Sequence, residues 1–204
     1  MQLGALVYEE GEGARVDEFL AGLARELRGS GIRLAGAIQH NTDGGDRCRC
    51  DMTLEDLASG RLIDISERRG PEARGCRLDS FALEDAVGAV ISSLEARPDL
   101  LILNRFGKRE AEGHGFRGAI EFALANNAPV LIAVSRANLP AWTAFAEQMG
   151  EVLPFDDKTV LRWCLQRSAQ ARARMRGELP AQATAPAQPS RLPEAPSGRS
   201  SSHR

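Results

Sequence analysis

The sequence predicts an α/β fold of the doubly wound kind, a mostly parallel sheet with helices on both faces and an inserted β-hairpin. Three observations predict it. The apolar runs QLGALVY (2–8), IRLAGAIQ (32–39), DLLILN (99–104) and PVLIAVS (129–135) have the near-continuous hydrophobicity of strands covered on both faces. Segments with helical apolar spacing lie between or after them. A chain of 204 residues, 43% of them hydrophobic, has room for a full core.

Taken in order, 2–8 is the first buried strand, and EEGEGAR follows it as a glycine-containing loop. Val16, Phe19, Leu20, Leu23 and Leu27 then recur at helical spacing, with Gly29 and Gly31 as the stop. The second strand, 32–39, completes a βαβ unit whose crossover is expected to be right-handed. HNTDGGDRCRC reads as a loop. DMTLEDL and RLIDISE flank ASG as a hairpin turning at Ser59–Gly60, within an insertion over about 46–70. Leu83, Val87, Val90, Ile91 and Leu94 mark a helix over 80–96, with Asp79 or Ser80 as its N-cap. Phe116, Ala119, Ile120 and Ala123 mark another. A last helix, 157–175, turns Val160, Leu161 and Cys164 inward and its arginines outward.

Charge divides the chain. From Lys158 to Arg204 there are nine basic residues against two acidic, so this part is +7 and the rest −9 in a chain of net −2. Residues 177–204 hold five of the ten prolines and few large apolar side chains. Such a composition does not offset its own ordering entropy, so a disordered Pro/Ser/Arg-rich tail is expected after a folded domain of 1–176. The near-neutral total excludes a globally basic nucleic-acid binder, and the helix 158–176 lacks interleaved aromatics beyond Trp163. No apolar run approaches the roughly 18 residues of a membrane span. MQLGALVYEE has neither a basic n-region nor a small-residue cleavage site, so no secretory leader is expected. The few, unevenly spaced cysteines suit reduced thiols, and the expected location is cytoplasmic.

In an open parallel sheet the ligand crevice lies beyond the carboxyl ends of the strands. That topology nominates the loops 9–15, 40–47, 105–115 and 135–140. They gather Gly11, Gly13, Arg15, Asn41, Asp43, Arg105, Lys108, Arg109, Glu110, His114 and Arg136. A glycine loop opening a helix and facing cations is a physical recipe for binding an anion. Compared with a working phosphate loop, GxxxxGK[ST], the stretch YEEGEGAR keeps Gly13 alone. Tyr8, Ala14 and Arg15 replace the first glycine, the lysine and the hydroxyl residue. Glu9, Glu10 and Glu12 add negative charge there, and a plain tight turn into the helix is the alternative reading.

The stretch DLLILNRFGKREAEGHGFRGAI, with the order of elements and the hairpin, resembles the THEP-type nucleoside-triphosphatases, a P-loop family whose second acidic motif reads roughly DEIGKxE. Gly107, Lys108 and Glu110 match that motif, while Asn104 and Arg105 stand at its two acidic positions. The chain more closely resembles an uncharacterised bacterial family related to those enzymes, marked by NRFGKxEAEG and GCRLD, whose genes are often found beside molybdate-transport genes. The resemblance covers about residues 1–165. It implies a P-loop-NTPase-like sheet and a link to molybdate transport or handling, with molybdate-transport proteins as partners.

The departures change the expected chemistry. An acidic residue at this place holds Mg²⁺ and a following one can position water; Asn104 is neutral and Arg105 has the opposite sign. With the hydroxyl ligand of the first loop also missing, Mg²⁺ is not expected as a cofactor. Arg105, Lys108 and Arg109 supply positive charge instead, and arginine binds oxyanions through forked hydrogen bonds. The expected function is thus a non-hydrolytic or weakly hydrolytic accessory protein binding a small oxyanion, molybdate included, or a nucleotide. The expected site residues are Gly11, Gly13, Arg15, Asn104, Arg105, Lys108, Arg109 and Glu110. An alternative is an active triphosphatase in which Glu110 or Glu112 replaces the lost carboxylates. Another is a thiolate metal site from Cys48, Cys50 and Cys76, with His40 as a substitute ligand, since CxC residues share a face when extended. Cys164 reads as core and His114 as a surface residue.

Overall fold

The computed structural model describes residues 2–43, 50–67 and 78–179. In chain order the strands are β1 (Leu3–Tyr8), β2 (Leu34–Asp43), β3 (Cys50–Asp56), β4 (Leu62–Asp64), β5 (Leu100–Phe106), β6 (Val130–Ser135) and β7 (Gly150–Leu153). The helices are α1 (Gly13–Gly29), α2 (Ser80–Leu94), the single turn α3 (Lys108–Ala111), α4 (Arg117–Ala125), α5 (Leu139–Ala146) and α6 (Asp157–Met175), with a 3-10 turn at Arg136–Asn138.

The strands form one sheet in the order β4-β3-β2-β5-β6-β1-β7. β2, β5, β6, β1 and β7 run parallel, while β3 and β4 add an antiparallel edge. This is the mixed, P-loop-NTPase-like α/β class the sequence predicts. Side-chain alternation explains the unbroken apolar runs. Leu101, Leu103, Val130, Ile132 and Val134 face α2, α4 and α5, whereas Leu100, Ile102, Leu131 and Ala133 face α1 and α6. Gly4 lets Trp163 lie against β1, since a Cβ there would stand 2.9 Å from its ring.

Helix ends follow local chemistry. Asp79 caps α2, accepting from the Phe81 and Ala82 amides, and Asp156 caps α6 through Thr159. Gly31, at φ +73, closes α1 as expected. Cys164 is fully buried, and that burial pushes its thiol up to about 12.

Some expectations shift. The run 40–43, read as loop, belongs to β2, whose Ala37–Asp43 pair antiparallel with β3 down to Cys50. The hairpin therefore extends β2 into a three-stranded meander. β7, α5 and α3 were not foreseen as elements. Of the expected tail, 180–204 lie outside the described residues, as do Cys48 and Cys76; Cys50 lies in β3. Among the described residues no helix is long and apolar enough to cross a membrane.

Candidate functional site

The connection after β1 leads to α1 on one face, and the connection after the adjacent β6 leads to α5 on the other. Neighbouring strands whose connections diverge leave a crevice at their carboxyl ends. Its two lips are clasped: Arg136 donates through Nε and Nη2 to Glu9 Oε1 at 2.9 and 2.7 Å. Glu9 holds Arg136 above the usual arginine value.

The loop from β1 to α1 is a tight turn. The Glu12 amide donates to Glu9 O at 3.2 Å, and the Glu9 amide donates to the Glu12 carboxylate at 2.9 Å. That backbone bond, with help from Arg15, lowers the Glu12 pKa. Gly11 turns the chain at φ +88, and Gly13 is the first residue of α1. α1 has no side-chain cap, unlike α2 and α6. The amides of its first turn are therefore left for solvent or a ligand, at the positive end of a 17-residue helix.

At the end of β5, Asn104 Nδ2 donates to Asp17 Oδ1 at 2.8 Å, and Arg105 Nη2 reaches the same oxygen at 3.2 Å. Asp17 and Asn104 are buried, and Asn104 Oδ1 has no hydrogen-bond partner. A register shift between Leu103 and Phe106 lets Asn104 and Arg105 both reach Asp17 although they are consecutive. Asp17 was missed by the sequence reading. Its only signal is a carboxylate beside Val16 on the buried stripe of α1.

The structure thus brings Asn104 and Arg105 together around Asp17 and sets the other cations apart. Arg15 pairs with Glu12 at 2.8 Å and stacks on Phe155, 4.5 Å from its centroid. Arg109 turns to α2, donating to Ser80 Oγ at 3.0 Å and Glu84 at 3.2 Å. Lys108 is exposed, 3.7 Å from Glu112. His114 is exposed.

Glu110 is buried with both oxygens engaged: Oε2 accepts from the Gly107 amide at 2.9 Å and Oε1 from the Phe116 amide at 3.1 Å. Gly115, at φ +59, leaves the room this carboxylate occupies. Glu110 shapes the 107–116 loop. Glu110→Gln, able to accept only one of the two amides well, is expected to lower stability by about 1 kcal/mol, read as a lowered urea midpoint. An unchanged midpoint would free Glu110 for another role. Among the described residues no group of three or more His, Cys, Asp or Glu is placed to hold a metal ion.

Residues 3–163 match the profile of a family described as protein of unknown function DUF2478. The chain belongs to this family. Over 161 residues it is also 35% identical to the molybdenum import ATP-binding protein ModC 2 of Bradyrhizobium diazoefficiens. That alignment covers 79% of this chain and 18% of the relative, so the DUF2478 chain spans less than a fifth of the relative's length. No solved structure matches the chain.

Proposed function

We propose that this DUF2478 chain is a non-hydrolysing P-loop-like module that binds a small oxyanion, or the phosphate end of a nucleotide, in an accessory role in molybdate import. The observation that carries the reading is the end of β5, where Asn104 and Arg105 stand around Asp17 beside the uncapped start of α1. Asn104 offers its amide to Asp17, and Arg105 brings positive charge to that carboxylate. Mg²⁺ takes oxygen ligands with carboxylate charge, and here the Arg105 guanidinium already offsets the charge of Asp17, which disfavours the ion. The donor set does suit an anion, which can replace an internal carboxylate on a guanidinium. Arg105 exchanging Asp17, and Arg136 exchanging Glu9, would turn their forked donors onto the incoming oxyanion, with the first-turn amides of α1 behind it.

The molybdate link rests on the ModC 2 relative and on the resemblance to a family encoded beside molybdate-transport genes. The relative's ATP-binding function belongs to a protein several times longer than the matched segment, and the present chain carries no GxxxxGK[ST] loop. We read the GKxE stretch shared with THEP-type triphosphatases as retained scaffold, with Glu110 folding the loop rather than positioning water. A cytoplasmic location and molybdate-transport partners belong to the same proposal.

A thermal-shift series tests it with molybdate, tungstate, sulfate, phosphate, and ATP or GTP with and without Mg²⁺. A ligand at 100 times its dissociation constant adds about 2.7 kcal/mol, several degrees for a domain of this size. We expect a shift with an oxyanion or nucleotide that is lost in Arg105→Ala and Arg136→Ala, and phosphate release no faster than buffer. Mg²⁺-dependent release would overturn the non-hydrolytic reading; no shift with any ligand would overturn the binding site.

A further inference from the structure

At the other end of the sheet, the last turns of α2, α4 and α6 surround a cavity of about 330 Å³. Ligand pockets span about 300–1,000 Å³. Leu94, Phe122 and Met175 make its apolar side, and Arg97, Arg174 and Asn127 its polar rim. Phe122 and Met175 are partly exposed, at 37% and 43%.

Three features set this cavity apart. The first is unspent charge. Arg15, Arg105 and Arg136 at the crevice each have a carboxylate partner. Among the described residues Arg97 and Arg174 have none, and Arg174 Nε is buried without a hydrogen-bond partner. The second is that the helix-end carbonyls do not occupy these guanidinium groups. Backbone amides already bond Leu94 O, Phe122 O, Ala123 O, Leu124 O, Arg172 O and Ala173 O. The third is the choice of residue at the left-handed position after each helix. α1 and α6 use glycine there, Gly31 and Gly177, whereas α2, α4 and α5 use Arg97 at φ +51, Asn127 at φ +59 and Glu147 at φ +45, and of these three Arg97 and Asn127 line the cavity. Glycine is favoured at such positions. Asparagine is the usual alternative to glycine at such a position, whereas α2 accepts a less favourable backbone at Arg97, which lies on the cavity rim.

We propose that this cavity is a second ligand site, for a small organic monoanion with a carboxylate head on a short apolar body. Arg97 and Arg174 take the carboxylate through forked hydrogen bonds, and Leu94, Phe122 and Met175 cover the body. Three helix C-termini point their negative ends here and oppose an anion, so Arg97 and Arg174 offset a single negative charge more readily than a phosphate dianion. This site is independent of the anion crevice.

The test is calorimetric titration of the full chain with hexanoate and benzoate, with hexanol and benzyl alcohol as neutral counterparts and sulfate as an inorganic control. The carboxylates are expected to bind roughly ten-fold or more tightly than the neutral compounds, without competition from sulfate. Arg97→Gly is the informative variant, since glycine suits that backbone. It should melt at the same or a higher temperature while weakening carboxylate binding roughly ten-fold or more. Arg174→Gln should weaken binding likewise. Absence of carboxylate binding, equal binding of the neutral compounds, full competition by sulfate, or an Arg97→Gly variant that binds like the wild type each overturns the proposal.

Discussion

Gly36→Ala is expected to destabilise the protein by about 4 kcal/mol or more, lowering its melting temperature by on the order of 10 °C. Gly36 lies in β2 opposite Ile102 of β5, at φ +120, and a Cβ there would fall inside the envelope of the Ile102 carbonyl oxygen. Both sides of the clash are backbone in the middle of a parallel ladder, so no rotamer change relieves it. The Gly36 carbonyl also accepts the Leu57 amide at 2.9 Å, which ties the end of β3 to β2. A shift of β2 away from β5 would therefore disturb the meander as well. Gly22→Ala and Gly88→Ala are the controls: both sit inside helices with open space at the Cβ position. They should hold or raise stability, by up to about 1 kcal/mol. Calorimetric melts of the three variants decide the matter, and a Gly36→Ala protein melting with the wild type would contradict the β2–β5 register.

Asp99→Asn is expected to cost about 2 kcal/mol at neutral pH. Asp99 is fully buried at the start of β5 and receives the Arg33 amide at 2.8 Å and Arg172 Nη2 at 2.7 Å, with Arg33 Nη2 at 3.2 Å. The figure lies below that of a wholly buried pair because Arg33 and Arg172 are partly exposed to solvent. Burial works to raise the Asp99 pKa, but hydrogen bonds from Arg172 and Arg33 outweigh it and hold the group at about 2, below its ordinary 3.8. Above pH 3.8 the carboxylate is ionised folded and unfolded, and its contribution is complete. As pH falls from there toward 2, the unfolded chain takes up the proton first and the contribution is lost. Urea unfolding across pH 2–7 should show the gap between wild type and variant closing at the acid end. A gap that stays constant to pH 2 would mean that ionisation of Asp99 contributes nothing to stability.

The elements legible in the sequence are those whose burial is repetitive. β1, β5 and β6 are covered on both faces and read as apolar runs, and α1, α2, α4 and α6 repeat their inward residues at helical spacing. α5, LPAWTAFA, is too short and too uniformly apolar for a period to stand out. β7 has four residues, pairs on one side only, and leaves Val152 exposed. The polar end of β2 looked like a loop because its parallel pairing with β5 ends at Ala37 and the residues beyond pair with β3 alone. For the candidate site, topology alone located the loops. It did not show that Arg109 would turn to α2, that Glu110 would fold its own loop, or that Asn104 would meet Asp17 across 87 positions. Such pairings depend on which turn of a helix faces which strand end, information that no short motif contains.

The place of β1 in the sheet has a kinetic consequence. Its two neighbours are β6 and β7, so Leu3 aligns with Val130 on one side and Gly150 on the other. The strand nearest the start of this sequence must wait for segments well over a hundred residues later before either edge is closed. Contacts of that sequence separation slow folding, because a long loop is closed before any of its bonds form. During synthesis β1 and α1 would remain an apolar unit with open edges until β6 and β7 emerge, a natural client for a chaperone.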